Sequence, residues 1–312
     1  MDKMQELKGP PALEHLAGIY QQLYIAPGPE GPEKYADVMM RGQEIRDGNL
    51  SHFSRDERDR LEYEDTPEGK VPIITLHKRA DFITFMRIMA NRCRTVDIPD
   101  IQGASIISGV INWARIRSHK KSFFADEKRK GNPDPDWDAE FSRFTADKAN
   151  FKDTLIVITS GPYSGVETGR INKYLEGSDL REAPLSEKEW LSLSDTIRRY
   201  HECTHYICRK RYPEKKDAVL DELTADAVGI YAAFGKYDPE LEKLFLGIEG
   251  EKYAGGRLEN YVEEAENGDR QETLDRLSLK ISGILEGFDE ILSGREIPPY
   301  EAACILEESM EV

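Results

Sequence analysis

The chain has 312 residues, 39% hydrophobic and 33% charged, a mixture typical of a globular protein with a sizeable core. Its 43 basic and 59 acidic residues give a formal net charge of −16, which disfavours general binding to nucleic acid or to an anionic membrane. No apolar run approaches the roughly 20 residues that span a bilayer, so we expect neither a nucleic-acid nor a membrane partner.

The N-terminal residues and the cysteines favour a cytoplasmic protein. The first residues lack the basic-then-apolar pattern of a secretory signal. The four cysteines form no CxxC pair and no regular framework. We therefore expect free thiols in a reducing compartment.

The N-terminal half mixes predicted helices and strands. Apolar periodicity predicts helices over 11–24, 33–46 and 81–94, and charge predicts an exposed helix over 50–64. Val71–Leu76 is a predicted strand, whose Pro72 indicates an edge position or a strand start. The remaining predictions are a bent extended segment over 98–113, a loop over 126–138 and a strand over Thr154–Thr159.

The C-terminal half is predicted to be almost wholly helical. Helices are expected over 186–211, 216–234, 239–246, 257–266, 270–293 and 299–309. Pro213 ends the first of these and Gly235 the second. The class is therefore α+β. We expect residues 1–150 to be a mixed α/β region integral to the substrate cleft, with its sheet packed on the helical half, and residues 151–312 to be the metal-binding catalytic region.

The predicted helix over 186–211 carries the most specific motif, His201-Glu202-Cys203-Thr204-His205. Two histidines four residues apart lie on one face of a helix, one turn apart, so both imidazoles can reach one ion. Glu202 can then reach a water on that ion and take its proton. The motif predicts a zinc site in which His201 and His205 are ligands and Glu202 is the general base.

The next predicted helix carries a third ligand candidate. Glu222 and Asp226 are four residues apart and share a face, so Glu222 can complete a His₂Glu set. Asp226 can accept a hydrogen bond from the free ring N–H of either His201 or His205 and fix its tautomer. An ordinary acidic first turn is the alternative interpretation of Asp221 and Glu222.

Together, HECTH and the following DELTAD resemble the HExxH…ExxxD pattern of the gluzincins, thermolysin-like zinc metallopeptidases. The resemblance covers about residues 200–232 and implies a zincin-like fold, Zn²⁺ as cofactor and a peptide or protein substrate. It also implies that His201, His205 and Glu222 bind the metal, Glu202 acts as base and Asp226 supports a ligand histidine. As a whole, the chain resembles uncharacterised bacterial proteins more than any named peptidase.

A hydrolase also needs a donor for the developing oxyanion and an edge strand for its substrate. In gluzincins a Tyr or His beyond the third ligand often serves as donor, and Tyr253, Arg257 and Tyr261 are the candidates here. The candidate edges are TLIVIT, followed by the turn GPYSG, and QGASIISG.

Three functions stay open from the sequence. The first is a zinc-dependent hydrolase, a peptidase by resemblance. The second is a zincin-like metal-binding protein without proteolytic activity, acting in binding or regulation. The third is a helical interaction protein in which HECTH is incidental. Bound metal separates the third from the first two.

Overall fold

The structure is a computed structural model that describes residues 6–214, 217–262 and 270–309. The chain divides into two compact units. Unit 1 comprises Met1–Tyr63, Pro72–Pro99 and Ile106–Val157. Unit 2 comprises Glu64–Val71, Asp100–Ser105 and Ile158–Val312.

Helices and strands are interspersed up to residue 159. They are β1 (Leu7–Lys8), α1 (Pro10–Ile19), α2 (Gly31–Arg41), β2 (Arg60–Thr66), β3 (Gly69–Leu76), α3 (Arg79–Met89), β4 (Ala104–Ile111), α4 (Trp113–Lys130), α5 (Trp137–Ala146) and β5 (Lys152–Thr159). The five strands form one sheet in the order β1-β2-β3-β5-β4. β1 and β2 are antiparallel, with Leu7 opposite Leu61.

Beyond residue 159 the described chain is mainly helical. Its elements are α6 (Thr168–Leu175), α7 (Glu187–Arg211), α8 (Ala218–Phe234), α9 (Pro239–Leu246), β6 (Ile248–Glu249), β7 (Lys252–Tyr253), α10 (Arg270–Leu292) and α11 (Pro299–Ser309). The α+β prediction, with a mixed sheet in the N-terminal half and helices in the C-terminal half, is confirmed. None of the helices in the described part is both long and apolar enough to cross a membrane.

Two predictions for the N-terminal half are wrong. Residues 50–64 form no helix, and β2 begins at Arg60. Thr66 and Gly69 enclose a tight turn from β2 to β3, in which the Thr66 hydroxyl donates to the Gly69 carbonyl and Gly69 has φ 109°. The end of this charged stretch, from Arg60 onward, is thus a hairpin strand. The predicted loop over 126–138 is also shorter, because α4 continues to Lys130 and ends at Gly131 with φ 74°.

The sheet order corrects two expectations about edges. Pro72 lies in β3, between β2 and β5, so it marks the early part of an interior strand. TLIVIT belongs to β5, which also has a neighbour on each side. QGASIISG contributes β4, which is at the edge of the described sheet.

One further helix is only partly present. The predicted helix over 257–266 is a 3-10 helix over Arg257–Tyr261, and residues 263–266 lie outside the described residues.

Each unit has its own hydrophobic core. In unit 1, apolar faces of α1 and α3 pack with strand residues such as Leu61, Ile74 and Leu155. In unit 2, the core is built around α7 and α8 and includes the fully buried Trp190 and Phe245. Burial of such side chains is the main favourable term in folding.

Helices α7 and α8 approach each other closely. A Cβ on Gly229 would lie 2.8 Å from the Ile197 carbonyl oxygen, so only glycine fits there without a shift. Further along α7, His201 meets Asp226, which lies nearer the start of α8. Later residues of α7 therefore contact earlier residues of α8, which means that the two helices are antiparallel. This pairing carries every predicted metal ligand within unit 2.

Replacing Gly229 by alanine should lower the free energy of unfolding by about 1–3 kcal/mol, because overpacking forces the two helices to shift. The atom in the way belongs to the α7 backbone, which cannot rotate aside. Gly283→Ala in α10 is the matched control, since no neighbouring atom lies within 4 Å of the added Cβ. Helix propensity should make the control up to about 1 kcal/mol more stable. Equal denaturation midpoints for the two variants would contradict the close approach.

Candidate metal centre

Helix α7 presents two histidines on its buried side. The helix begins with a capping box, in which Ser186 and Glu189 each accept a hydrogen bond from the other's backbone N–H. His201 and His205 follow one turn apart and are only 7% and 3% exposed. Buried imidazoles require partners for their ring nitrogens, so those partners define the site.

The ligand atoms of the three predicted metal residues converge. His201 Nε2 lies 3.1 Å from His205 Nε2. The Glu222 carboxylate oxygens lie 3.6 Å from His201 Nε2 and 3.5 Å from His205 Nε2. A tetrahedral zinc ion with bonds of about 2.0–2.1 Å holds its ligand atoms about 3.3 Å apart. The three donors therefore fit an ion of this size, and among the described residues they form the one such group.

Asp226 occupies the other ring nitrogen of His201. His201 Nδ1 lies 2.8 Å from Asp226 Oδ1, and Asp226 is fully buried. The sequence left open which histidine this carboxylate faces, and the structure places it on His201. The hydrogen bond favours a proton on Nδ1, which leaves the lone pair of Nε2 directed to the metal position.

Asp221 is the corresponding partner of His205, and sequence reasoning missed it. His205 Nδ1 lies 2.8 Å from Asp221 Oδ2. Asp221 lies in the first turn of α8, where the sequence suggested only a helix-end carboxylate. Its side chain is 28% exposed, whereas that of Asp226 is 0% exposed. The His205 contact is thus an ion pair outside hydrogen-bond geometry, whereas Asp226 is hydrogen-bonded to His201.

The site is rich in negative charge. Four carboxylates, those of Glu202, Asp221, Glu222 and Asp226, act on the two histidines, each as an ion-pair partner or through its charge. The nearby guanidinium groups are the buried Arg257 and the more distant Arg209, which is 3.9 Å from Asp221. A divalent cation suits such a set because it offsets charge that burial makes costly.

The pKa values of the site reflect both its burial and its excess of negative charge. Burial, together with the charge on His205, lowers the pKa of His201 to about 4. Burial also disfavours charge on His205, but Asp221 and Glu222 outweigh it and raise the pKa of His205 to about 10. Burial would raise the pKa of Glu222, yet the two imidazoles hold it well below its usual range.

Glu202 lies beside the ligand set. It is 6% exposed, and burial raises its pKa above the usual value. The neighbouring charges with the largest influence on it are those of His201, His205 and Glu222. A carboxyl group with a raised pKa is suited to taking and returning a proton. Its role as general base stays a prediction.

The candidates for oxyanion stabilisation lie on or near one short 3-10 helix. The Tyr261 hydroxyl donates to Glu222 Oε2 at 3.1 Å, so it directly contacts a predicted ligand. Arg257 pairs with Asp226 and reaches His201 through that carboxylate. The Tyr253 hydroxyl bonds to the backbone of Gly256 and so fixes the start of this helix.

Tyr163 is a site residue without a predicted role. Its hydroxyl donates to Asp226 Oδ1 at 2.6 Å and lies 3.1 Å from His201 Nδ1. Burial raises the pKa of Tyr163 to about 12, so the group stays protonated. The sequence suggested the GPYSG turn only as a possible rim. A buried tyrosine within a Gly/Pro turn that precedes the motif helix was the available signal.

Comparison with known proteins gives the family but not the activity. A family described as a family of unknown function (DUF7005) matches residues 12–306, so the chain belongs to that family. Neither a curated protein nor a solved structure matches the chain significantly.

Asp226→Asn should weaken zinc binding by about 10–100-fold, the usual cost of losing a partner behind a ligand histidine. Asp221→Asn should cost less, because its partly exposed side chain can be replaced by water. Competition with a chromogenic chelator would measure both affinities. The prediction fails if Asp221→Asn costs as much as Asp226→Asn or more.

Proposed function

We propose that this protein is a zinc-dependent hydrolase that cleaves peptide bonds, with a zincin-like active site. The observation that carries the proposal is the convergence of His201 Nε2, His205 Nε2 and the Glu222 carboxylate within 3.6 Å of one another, with Glu202 adjacent in sequence. The gluzincin-like motif supports a peptide as the substrate class.

The chemistry divides between the ion and the chain. When bound, zinc would act as a Lewis acid toward a carbonyl group and lower the pKa of water to about 7. Glu202 would take one proton from the attacking water, whose oxygen bonds to the substrate carbonyl carbon. When the C–N bond breaks, Glu202 would return that proton to the leaving amine.

Tyr261 is the best placed of the three oxyanion candidates. Its hydroxyl is already within hydrogen-bond distance of a ligand oxygen, Glu222 Oε2. An oxyanion that forms next to the ligand set needs a donor of this kind. In this proposal Tyr261 therefore stabilises the oxyanion, and Arg257 contributes through its contact with Asp226.

A metal-binding protein without proteolytic activity is the alternative. One observation favours it: the hydroxyl of Tyr261 and the guanidinium of Arg257 are both engaged by carboxylates of the site itself. Donors held in this way need not serve a substrate. Such a protein would bind zinc with the same ligands and leave peptides intact.

Protein purified without added metal should contain about one zinc per chain, since three protein ligands plus water complete a tetrahedral site. His201→Ala and His205→Ala should each lose most of it, measured by elemental analysis of the folded variants. His119→Ala is the matched control, because His119 bonds to Glu140 within unit 1. Equal zinc in wild type and both ligand variants would refute the metal site.

Glu202→Gln should keep its zinc and lose hydrolysis, because the amide preserves the size of the side chain but cannot accept the proton. Incubation of zinc-loaded protein with a defined peptide mixture, read by mass spectrometry, would reveal new termini. Cleavage by wild type and none by Glu202→Gln supports the peptidase. Loss of zinc in Glu202→Gln would mean that Glu202 is a ligand. Intact peptides with zinc-loaded wild type would favour the alternative.

A further inference from the structure

We infer that Tyr163 and Arg257 are positioning residues of the proposed metal site, which together clamp Asp226 so that His201 keeps its proton on Nδ1 and presents Nε2 to the ion. The inference rests on the proposed function. It assigns Arg257 the role of holding Asp226. It assigns the same role to Tyr163, a residue outside the sequence motif.

The hydrogen-bond directions at Tyr163 are fixed by its single hydroxyl proton. That proton goes to Asp226 Oδ1 at 2.6 Å. The hydroxyl oxygen then accepts from Arg257 Nη1 at 3.2 Å. His201 Nδ1, 3.1 Å from the same oxygen and 2.8 Å from Asp226 Oδ1, faces two acceptors. A ring nitrogen facing two acceptors is a donor, so the proton lies on Nδ1.

Arg257 offsets the free-energy cost of burying the Asp226 carboxylate. Asp226 has no exposed surface, and an unpaired charge in that position would be costly. Arg257 pairs with Asp226 Oδ2, while Oδ1 serves Tyr163 and His201. One oxygen of the carboxylate is therefore held by the guanidinium, and the other is directed to the histidine.

Both residues are held rigidly. Arg198 donates to the Gly161 and Pro162 carbonyls at 2.6 and 2.7 Å, and Ser194 accepts from the backbone N–H of Tyr163. These contacts tie the turn that carries Tyr163 to α7, the helix that carries His201. Arg257 follows Gly256, whose backbone packs closely against Gly247. A Cβ on Gly256 would lie 2.7 Å from the Gly247 Cα, so this contact positions the segment leading to Arg257.

The clamp predicts weaker zinc binding when either member is removed. Tyr163→Phe loses the hydroxyl alone, and we expect zinc affinity to fall about tenfold, at the lower end of the range for such partners. Arg257→Met removes the charge at similar length and should cost at least as much, and Arg257→Lys should restore part of it. Chelator competition on full-length, folded protein gives the dissociation constants.

Tyr231→Phe is the matched control. Tyr231 is also a buried tyrosine of unit 2, but its hydroxyl donates to the Arg295 carbonyl. Its loss should affect stability and leave zinc affinity unchanged. A purely structural role for Tyr163 predicts the same result in both variants, so equal zinc affinities for Tyr163→Phe and Tyr231→Phe would overturn the inference.

Two further measurements test whether the effect passes through Asp226. In an Asp226→Asn background, Tyr163→Phe and Arg257→Met should each cost little more, because interacting residues are not additive. In zinc-loaded protein labelled at histidine, the Nδ1–H resonance of His201 should shift in Tyr163→Phe and stay in place in Tyr231→Phe. Full additivity, or an unshifted resonance, would contradict the clamp. Wild-type protein that binds no zinc would instead refute the proposed function itself.

Discussion

The close approach of α7 and α8 is the constraint on which the site depends. At Gly229 the absence of a side chain lets the helix backbones come near enough for an added Cβ to lie 2.8 Å from a carbonyl oxygen of Ile197. Beyond that point the antiparallel pairing places His201 next to Asp226 and, one turn further along α7, His205 next to Asp221. Glu222 lies between these two contacts on α8 and therefore faces both Nε2 atoms. Two helices in fixed register are thus sufficient to assemble three donors and the partners behind two of them.

The surroundings then make the two histidines unequal. His201 is backed by a carboxylate with no exposure, which pairs with a guanidinium and accepts a hydrogen bond from a hydroxyl. His205 is backed by Asp221, which retains contact with solvent and lies 3.9 Å from Arg209. In a buried site, each hydrogen bond is worth more and each missing partner costs more than at the surface. The His201 side of the site is therefore enclosed by protein groups, whereas the His205 side is open to solvent at Asp221.

Sequence reasoning could find what one helix encodes and missed what two segments create together. The spacing of His201 and His205 is a property of a single helix, and so is the four-residue spacing of Glu222 and Asp226 on α8. Gly235 marks the end of α8 because helices commonly end at a residue in the left-handed backbone conformation, which glycine adopts readily. Its φ here is 76°. Tyr163, in a Gly/Pro turn, and Asp221, in an acidic first turn, carry only weak local signals, since their contacts exist only after a turn and a helix have packed against α7. In β2, Leu61 and Tyr63 alternate with charged residues, but this strand signal is short and lies within a strongly charged stretch that was interpreted as an exposed helix.

The proposed metal site and the fold of unit 2 depend on the same contacts. The imidazole nitrogens of His201 and His205 lie 3.1 Å apart, and the Glu222 carboxylate is close to both. Carboxylates around two buried imidazoles favour a cation at their centre, and the proposed ion would supply that charge. An ion that binds only the folded arrangement stabilises it through mass action. Because α7 and α8 also form much of the core of unit 2, any change that separates the helices would also separate the donors of the proposed site.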